Sequence, residues 1–183
     1  MKKNIFIAFL ILLSVKAMSQ ENIGIISGGW ASANIEDSDS KGTGWTIKGS
    51  YEINPQEGML SHGIAFGYTN LTATKSSGSQ QVTNTIGSVP IYYQPKLMFG
   101  EKKIKVFVKG ALGTQFASLK LERNLTTSSS NDFGFYGGGG GGLMFFIKDN
   151  IFLNGDYEIA WASNNWYKDG WISTATIGLG FKF

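Results

Sequence analysis

The feature that most constrains the fold is an alternation of apolar and polar residues that recurs along the chain. In the stretch GWTIKGSYEIN, residues 44–54, apolar residues and glycine alternate with polar residues that include Lys48 and Glu52. A period of two places alternate side chains on opposite faces of a β-strand. The apolar face either packs in a soluble core or faces lipid. In the second case Lys48 and Glu52 point into a membrane barrel.

Eight alternating segments follow residue 20, with no long apolar helix pattern between them, and the 25 glycines suit a β-protein with many turns. Short turns are expected at residues 54–58, 100–103 and 148–150, and longer polar loops at Glu36–Thr43, Lys75–Asn84, Leu119–Asp132 and Ala162–Gly170. This alternation is typical of outer-membrane barrels. It predicts an all-β, eight-stranded, antiparallel up-and-down transmembrane β-barrel with both termini in the periplasm.

The N-terminal segment predicts a cleaved secretory signal peptide. Two lysines precede an apolar run from Ile5 to Val15, and small residues stand at positions 17 and 19, as at a signal cleavage site. The run is about half of the roughly 20 residues that a helical span needs. We therefore expect a signal peptide at residues 1–19 and one outer-membrane barrel domain at residues 20–183.

Charge and cysteine content exclude several classes of partner. Removing Lys2, Lys3 and Lys16 from the 16 basic residues leaves 13, which equals the 13 acidic residues. The mature chain is then neutral, and nucleic acid is not an expected partner. The chain has no cysteine, which excludes disulfides and thiolate metal sites. Neither a metal nor another cofactor is predicted.

The positions of the aromatic residues decide which face points outward. On the apolar parity, several aromatic residues lie near the long-loop ends of their segments and others lie near the short turns, as in the two girdles of a membrane barrel. The alternative, a lipocalin-like soluble barrel with these rings inside, conflicts with the small interior of eight strands. The predicted girdle residues are Trp45, Tyr68, Phe99, Phe116, Trp161 and Trp171.

The opposite face has charged residues in the middle of predicted strands. Unpaired buried charges are expensive, and eight strands enclose only enough space for side chains. We therefore expect opposite charges to pair and close the interior. The predicted interior charges are Lys48, Glu52, Lys96, Lys105, Lys109, Asp156, Glu158 and Lys182.

Several of these features resemble the small eight-stranded outer-membrane barrels of Gram-negative bacteria, the OmpX-like and OmpA-transmembrane-like porin family. The residues concerned are the signal peptide, YYQPKL at 92–97, VFVKGALG at 106–113 and GLGFKF at 178–183. The resemblance implies that the last strand is read by the barrel-assembly machinery, through Ile177, Leu179, Phe181 and Phe183. Two features depart from the family: Pro90 and Pro95 in the fourth segment, and six consecutive glycines at 137–142.

The glycine run predicts a strand at which a large neighbouring side chain approaches closely or the barrel wall bends. A phosphate loop would need a Gly-Lys-Ser/Thr ending, whereas Leu143 follows here. The single histidine, His62, is expected at the membrane interface near the short turns, with no acid nearby in sequence to make it a catalytic base.

These observations favour a non-enzymatic barrel with a closed polar interior, whose long loops bind an extracellular ligand in adhesion, envelope integrity or defence. The alternative is a narrow porin-like channel for small or apolar solutes. A lipid or protein hydrolase is disfavoured because no base–nucleophile pair is evident. Expected partners are outer-membrane lipid, the assembly machinery and an extracellular ligand.

Overall fold

The computed structural model describes residues 20–36, 41–55, 59–77, 80–100, 103–123 and 126–183. These residues form a closed barrel of eight antiparallel strands in chain order, which confirms the predicted fold class. The strands are β1 (Gln20–Ile35), β2 (Lys41–Pro55), β3 (Leu60–Ser77), β4 (Gln80–Phe99), β5 (Ile104–Arg123), β6 (Thr126–Lys148), β7 (Ile151–Ala162) and β8 (Tyr167–Lys182). The predicted signal peptide lies outside the described residues and stays a prediction.

Closure of the barrel depends on β1, whose phase the sequence leaves ambiguous. β1 pairs with β8 from Ile23↔Lys182 to Ala33↔Ile172, followed by a bulge. Ile23 is buried in the interior, whereas Ile26 is 70% exposed on the outer wall. Isoleucines of both parities therefore occur in this strand, which is why alternation alone does not reveal its inward face.

The outer wall is apolar from one end of the membrane band to the other. Large apolar side chains of all eight strands are exposed on it, among them Ile47, Ile64, Val108 and Ile177. Such a surface would be costly in water and is favourable in lipid. Among the described residues, no α-helix is long and apolar enough to cross a membrane.

Four strands continue far past the membrane band and correct the predicted loops. β3 and β4 pair as far as Ser77↔Gln80, and β5 and β6 pair as far as Arg123↔Thr126. The long loops expected at Lys75–Asn84 and Leu119–Asp132 are therefore wrong, because residues 75–77, 80–84, 119–123 and 126–132 lie in strands. Their serines and threonines are polar on both faces, and that composition resembles a loop. Yet antiparallel pairing satisfies their backbone equally well in water.

A second correction concerns the loop expected at Ala162–Gly170. β7 ends at Ala162 and β8 begins at Tyr167, so only residues 163–166 connect them. The loop expected at Glu36–Thr43 is shortened as well, since β2 begins at Lys41, and residues 37–40 lie outside the described residues. The hairpin end of the barrel is thus formed mainly by the extended β3–β6 strands.

We call these extensions the projecting sheet, which comprises residues 71–77, 80–86, 118–123 and 126–132. β6 contains 23 residues, whereas a tilted strand crosses a bilayer in about 9–11 residues. The excess length places the projecting sheet outside the membrane, on the side opposite to the short turns.

The glycine run lies where the barrel wall brings β6 against β7. A side chain on Gly140 would place its Cβ 2.2 Å from the Tyr157 carbonyl oxygen, and one on Gly142 would place it 2.7 Å from the Phe107 ring. The close approach that was one of the two expectations for this run therefore occurs here. Glycine is required at Gly140 because the obstruction is backbone, which cannot move aside.

Candidate functional site

The middle of the barrel interior is a layer of charged residues that connects strands across the lumen. Lys48 on β2, Lys96 on β4, Lys109 on β5, and Glu158 on β7 all point inward because they share the inward parity of their strands. Strand alternation thus places each side chain, and closure of the barrel brings residues more than 100 positions apart into contact.

Glu158 is the centre of this layer. Its Oε1 accepts bonds from Lys48 Nζ at 2.8 Å and from Tyr136 Oη at 2.7 Å. Its Oε2 accepts bonds from Lys109 Nζ at 2.7 Å and from Tyr92 Oη at 3.2 Å. Glu158 is fully buried. One carboxylate therefore holds together donors from four other strands, β2, β4, β5 and β6.

The second carboxylate cluster surrounds Glu52, which is also fully buried. Its Oε1 accepts bonds from Lys96 Nζ at 2.5 Å and from Gln94 Nε2 at 2.9 Å. Its Oε2 accepts a bond from the Ser61 hydroxyl at 3.1 Å. The contacts around Glu52 involve β2, β3 and β4, which are consecutive strands of the barrel.

Lys109 joins the two clusters. Its Nζ lies 2.7 Å from Asp156 Oδ2 and 3.4 Å from Gln94 Oε1. Three lysines and three carboxylates therefore form one connected and electrically balanced network: Lys48, Lys96, Lys109, Glu52, Asp156 and Glu158. Charges that are paired and hydrogen-bonded in this way can be buried, whereas isolated ones cannot.

The network leaves little open space. The cavity among Lys48, Lys109 and Asp156 measures about 20 Å³, which is enough for about one water molecule. A hydrated ion or solute that passes through the barrel would have to displace these paired side chains.

Two apolar layers lie above and below the charges, which the sequence reasoning did not foresee. Toward the short turns, Phe107 and Phe152 pack with Met98 and Met144. Toward the hairpin end, a larger cluster includes Leu71 and other buried residues. The sequence analysis assigned only charged residues to the interior and did not include these apolar layers. Large apolar residues occur on both faces of β5 and β7, so the alternation of polarity did not mark these residues as interior.

The remaining two predicted interior charges, Lys105 and Lys182, have inward parity but lie at the short-turn mouth, where both are partly exposed. Lys105 Nζ lies 5.5 Å from the centre of the Phe146 ring. The surplus of lysines over acids in the predicted set is thus located at an opening to water, outside the balanced network.

The predicted girdle and assembly residues all lie on the outer wall. At the hairpin end, the Trp45 and Tyr68 rings are 5.3 Å apart, the Phe116 and Phe133 rings are 4.6 Å apart, and Trp161 pairs with Trp171 across β7–β8. Phe99 is exposed at the short-turn end. The predicted assembly residues are exposed in a row along β8 and its end: Ile177, Leu179, Phe181 and Phe183.

His62 lies on the outer wall near the short turns, where it pairs across the strands with Ile53 and Pro95. Its ring is 6.4 Å from that of Tyr93. Within the described ranges, no three His, Asp or Glu side chains are grouped so that they could hold a metal ion.

The projecting sheet has an open edge along β6. β6 begins to pair with β7 only at Tyr136↔Ala162, and just before this Phe135 bonds to Ser163. In the part of the chain that the structure describes, no strand pairs with Thr126–Gly134 on the side away from β5. Alternate backbone N–H and C=O groups of this segment therefore have no strand partner, and Asp132 Oδ1 accepts the N–H of Phe133.

Comparisons with known proteins agree with this architecture. Neisserial surface protein A (NspA) has a TM-score of 0.63 at 14% identity, over 91% of this chain and 100% of NspA. Ail, the attachment invasion locus protein of Yersinia pestis, has a TM-score of 0.57 at 16% identity, over 91% of this chain and 100% of Ail. OprG, an outer membrane protein from Pseudomonas aeruginosa, has a TM-score of 0.50 at 14% identity, over 88% of this chain and 96% of OprG.

At these identities the likeness shows the fold alone. No curated protein matches the sequence. Residues 5–183, however, match the family described as the outer membrane protein β-barrel domain. This match covers nearly the whole chain and agrees with the closed eight-stranded barrel. The protein therefore belongs to the outer membrane protein β-barrel family.

Proposed function

We propose that the protein is a non-enzymatic, non-conducting barrel that presents the projecting sheet outside the cell as a surface for adhesion. The observation that supports this most strongly is that the barrel has a closed interior together with an open strand edge. The charge network leaves a cavity of only about 20 Å³, so the barrel itself serves as a support. The segment Thr126–Asp132 belongs to the projecting sheet and has one side unpaired.

An open strand edge is a template for the addition of another strand, and natural proteins usually protect such edges with charges or proline. From Thr126 to Asn131 the edge of β6 reads TTSSSN and has neither, and Asp132, at the base of the projecting sheet, is the first charged residue of this strand. The opposite edge of the sheet, on β3, includes Lys75. The unprotected edge therefore supports binding of an extended peptide segment from an extracellular partner, through main-chain hydrogen bonds.

The comparisons support this proposal only through their descriptions. Ail is described as an attachment invasion locus protein and NspA as a surface protein. Both share the fold with this chain, and fold alone does not fix function.

The adhesion proposal is tested with two neighbouring proline substitutions, Ser128→Pro and Ser129→Pro. Alternate residues of β6 direct their N–H groups toward β5 and toward the open edge. Phe135 bonds toward Ser163, so alternation directs the Ser129 N–H to the open edge and the Ser128 N–H to β5. Ser128→Pro therefore disrupts the β5–β6 hairpin, and Ser129→Pro removes only an edge donor. Each variant is displayed on a non-adherent Gram-negative host, and attachment to epithelial cells is counted. We expect both variants to reduce attachment, although only Ser128→Pro should lower the protease resistance of the hairpin.

Unchanged attachment after deletion of the hairpin, residues 120–129, would contradict the proposal. The channel alternative is tested separately by current measurements in planar bilayers. We expect no steady current from the unmodified protein, because paired side chains occupy the middle of the lumen. A steady porin-sized conductance would instead establish the channel function.

We also propose that both termini face the periplasm and that the barrel-assembly machinery reads Phe183. Phe183 is 67% exposed on the outer wall, and its backbone pairs with Asn22 at the seam between β1 and β8. We expect Phe183→Ala to lower the amount of assembled protein and to leave unfolded chain in the periplasm. The matched control is Phe99→Ala, another exposed aromatic residue at the short-turn end. Equal assembly of both variants would contradict this role.

A further inference from the structure

An open groove of about 560 Å³ lies on the outer wall at the base of the projecting sheet. It spans β3 to β6 at the level of the hairpin-end girdle and does not communicate with the charge network. Nothing in the proposed function uses it. Its position, between the lipid band and the projecting sheet, places it where the membrane meets water.

The groove results from two outward-facing rows of residues with different sizes. The lower row, Val89, Phe116 and Phe133, is in register across β4–β6 and forms an apolar shelf. The row above it, two residues farther from the short turns along each strand, is Gly87, Ser118 and Asn131. These side chains are small or absent, and this leaves a depression above the shelf.

Gly87 is essential to the shape of the groove. A Cβ at this position would lie 2.8 Å from the hydroxyl oxygen of Tyr68. The glycine therefore lets the Tyr68 side chain lie across the wall with its hydroxyl at the groove. β3 thus contributes the Tyr68 ring to this edge of the groove, and β4 leaves room for it because Gly87 has no side chain.

The chemistry of the lining changes with height. The Phe116 and Phe133 rings, whose centres are 4.6 Å apart, present hydrocarbon at the lipid side. Ser118, Asn131 and Asp132 present hydroxyl, amide and carboxylate groups at the water side, and Asp132 Oδ1 accepts the Phe133 N–H at 2.8 Å. None of the residues that line the groove is basic. Such a lining suits hydroxyl donors and is unfavourable for a phosphate.

We infer that this groove binds one amphiphile of the surrounding leaflet, with an acyl chain on Phe116 and Phe133 and an uncharged, hydroxyl-bearing headgroup at Ser118, Asn131 and Asp132. A glycolipid has this chemistry. The occupant is a lipid because the shelf faces the membrane, where acyl chains fill any apolar depression. The inference is independent of adhesion and of which side of the membrane the projecting sheet occupies.

The test uses two detergents with the same chain and different headgroups, n-dodecyl-β-maltoside and n-dodecylphosphocholine. The folded protein is placed in mixed micelles that contain both, and retained adducts are counted by native mass spectrometry. We expect one maltoside to be retained per protein, in preference to phosphocholine. Ser118→Trp fills the groove from an exposed position and should abolish this adduct. Thr114→Trp, on the same face of β5 but outside the groove, should leave it unchanged.

The variants Asp132→Ala and Asn131→Ala test recognition of the headgroup separately from binding of the alkyl chain. Each should lower the preference for maltoside by about tenfold, which is the loss of one good hydrogen bond, while the barrel still migrates as folded protein. Equal retention of both detergents by the unmodified protein would overturn the inference, as would a maltoside adduct that survives Ser118→Trp. Preferential retention of phosphocholine, or a dimer that Ser118→Trp dissociates, would also overturn it and identify phosphate recognition or a second copy as the occupant.

Discussion

The interior charge network and the projecting sheet use the same kinds of residue in opposite surroundings. Glu158 is fully buried and accepts bonds from four other strands. Glu122, on the projecting sheet, is half exposed and pairs with Lys120 two residues away on the same strand. The first carboxylate holds distant strands together, whereas the second makes a local contact in water.

This difference indicates how the molecule divides its tasks. Removing one partner from a buried ion pair strands the other in a low-dielectric interior, which costs several kcal/mol. Removing one partner from an exposed pair is compensated by water and costs little. The interior is thus constrained by stability, while the projecting sheet is free to change in sequence and to acquire binding functions.

The largest effect is expected from Glu158→Gln. The substitution preserves shape but removes the charge that neutralises Lys48, leaving Lys109 with Asp156 alone. We expect a loss of about 3–5 kcal/mol in the free energy of unfolding. Urea titration of the folded protein in vesicles, followed by the mobility shift between folded and unfolded protein, measures this loss.

The current through the Glu158→Gln barrel in planar bilayers tests the same comparison. A weakened network should admit water and raise the leak current above that of the unmodified protein. Glu122→Gln is the matched control on the projecting sheet and should change neither quantity. A Glu158→Gln barrel as stable as the Glu122→Gln barrel would show that the network does not hold the strands together.

A smaller effect is expected from arginine substitutions on the outside of the molecule. Leu112 is 59% exposed on the lipid-facing wall of β5, between the two girdles. Leu112→Arg should cost about 2–4 kcal/mol if the site lies near the middle of the bilayer. Thr127→Arg, on the exposed part of β6, should be almost neutral. Equal tolerance of both in vesicle unfolding experiments would mean that the outer wall does not face lipid at this height.

The glycine run provides a third and smaller test, with neighbouring residues as experiment and control. Gly140→Ala would direct its Cβ against the Tyr157 carbonyl oxygen at 2.2 Å, whereas Gly139→Ala meets its nearest atom at 3.2 Å on the outer wall. We expect Gly140→Ala to cost about 1–3 kcal/mol through overpacking and Gly139→Ala to remain within about 0.5 kcal/mol. Equal losses in urea would contradict the close approach of β6 and β7.

The sequence predicts the barrel well because alternation fixes the face of each residue. Lys48, Lys96 and Glu158 could be assigned to the inward face from parity alone. Their partners could not, because Lys48 contacts Glu158 on β7 rather than the nearby Glu52. Contacts across the lumen depend on side-chain reach after closure, and parity contains no information about them.

The extent of the projecting sheet was also beyond sequence reasoning. Residues 126–131, TTSSSN, have the composition of a loop, and only their pairing with β5 makes them a strand. Tyr136 was not predicted as a hydrogen-bond donor to Glu158, for a related reason. It directly precedes the glycine run, where the alternation of side chains that reveals the inward face is interrupted.

The smallest effect, and the one that tests the comparison most directly, is the coupling between Lys120 and Glu122. Their side chains are 55% and 50% exposed, so water and salt screen the pair. A double-mutant cycle with Lys120→Ala and Glu122→Gln should give a coupling of about 0–1 kcal/mol, which falls further at high salt. The corresponding cycle with Lys48→Ala and Glu158→Gln should give a larger coupling that salt barely changes, because these groups are buried. A coupling on the projecting sheet as large as that in the interior would mean that Lys120 and Glu122 are shielded from water in the membrane-bound protein, and therefore that another molecule already covers the sheet.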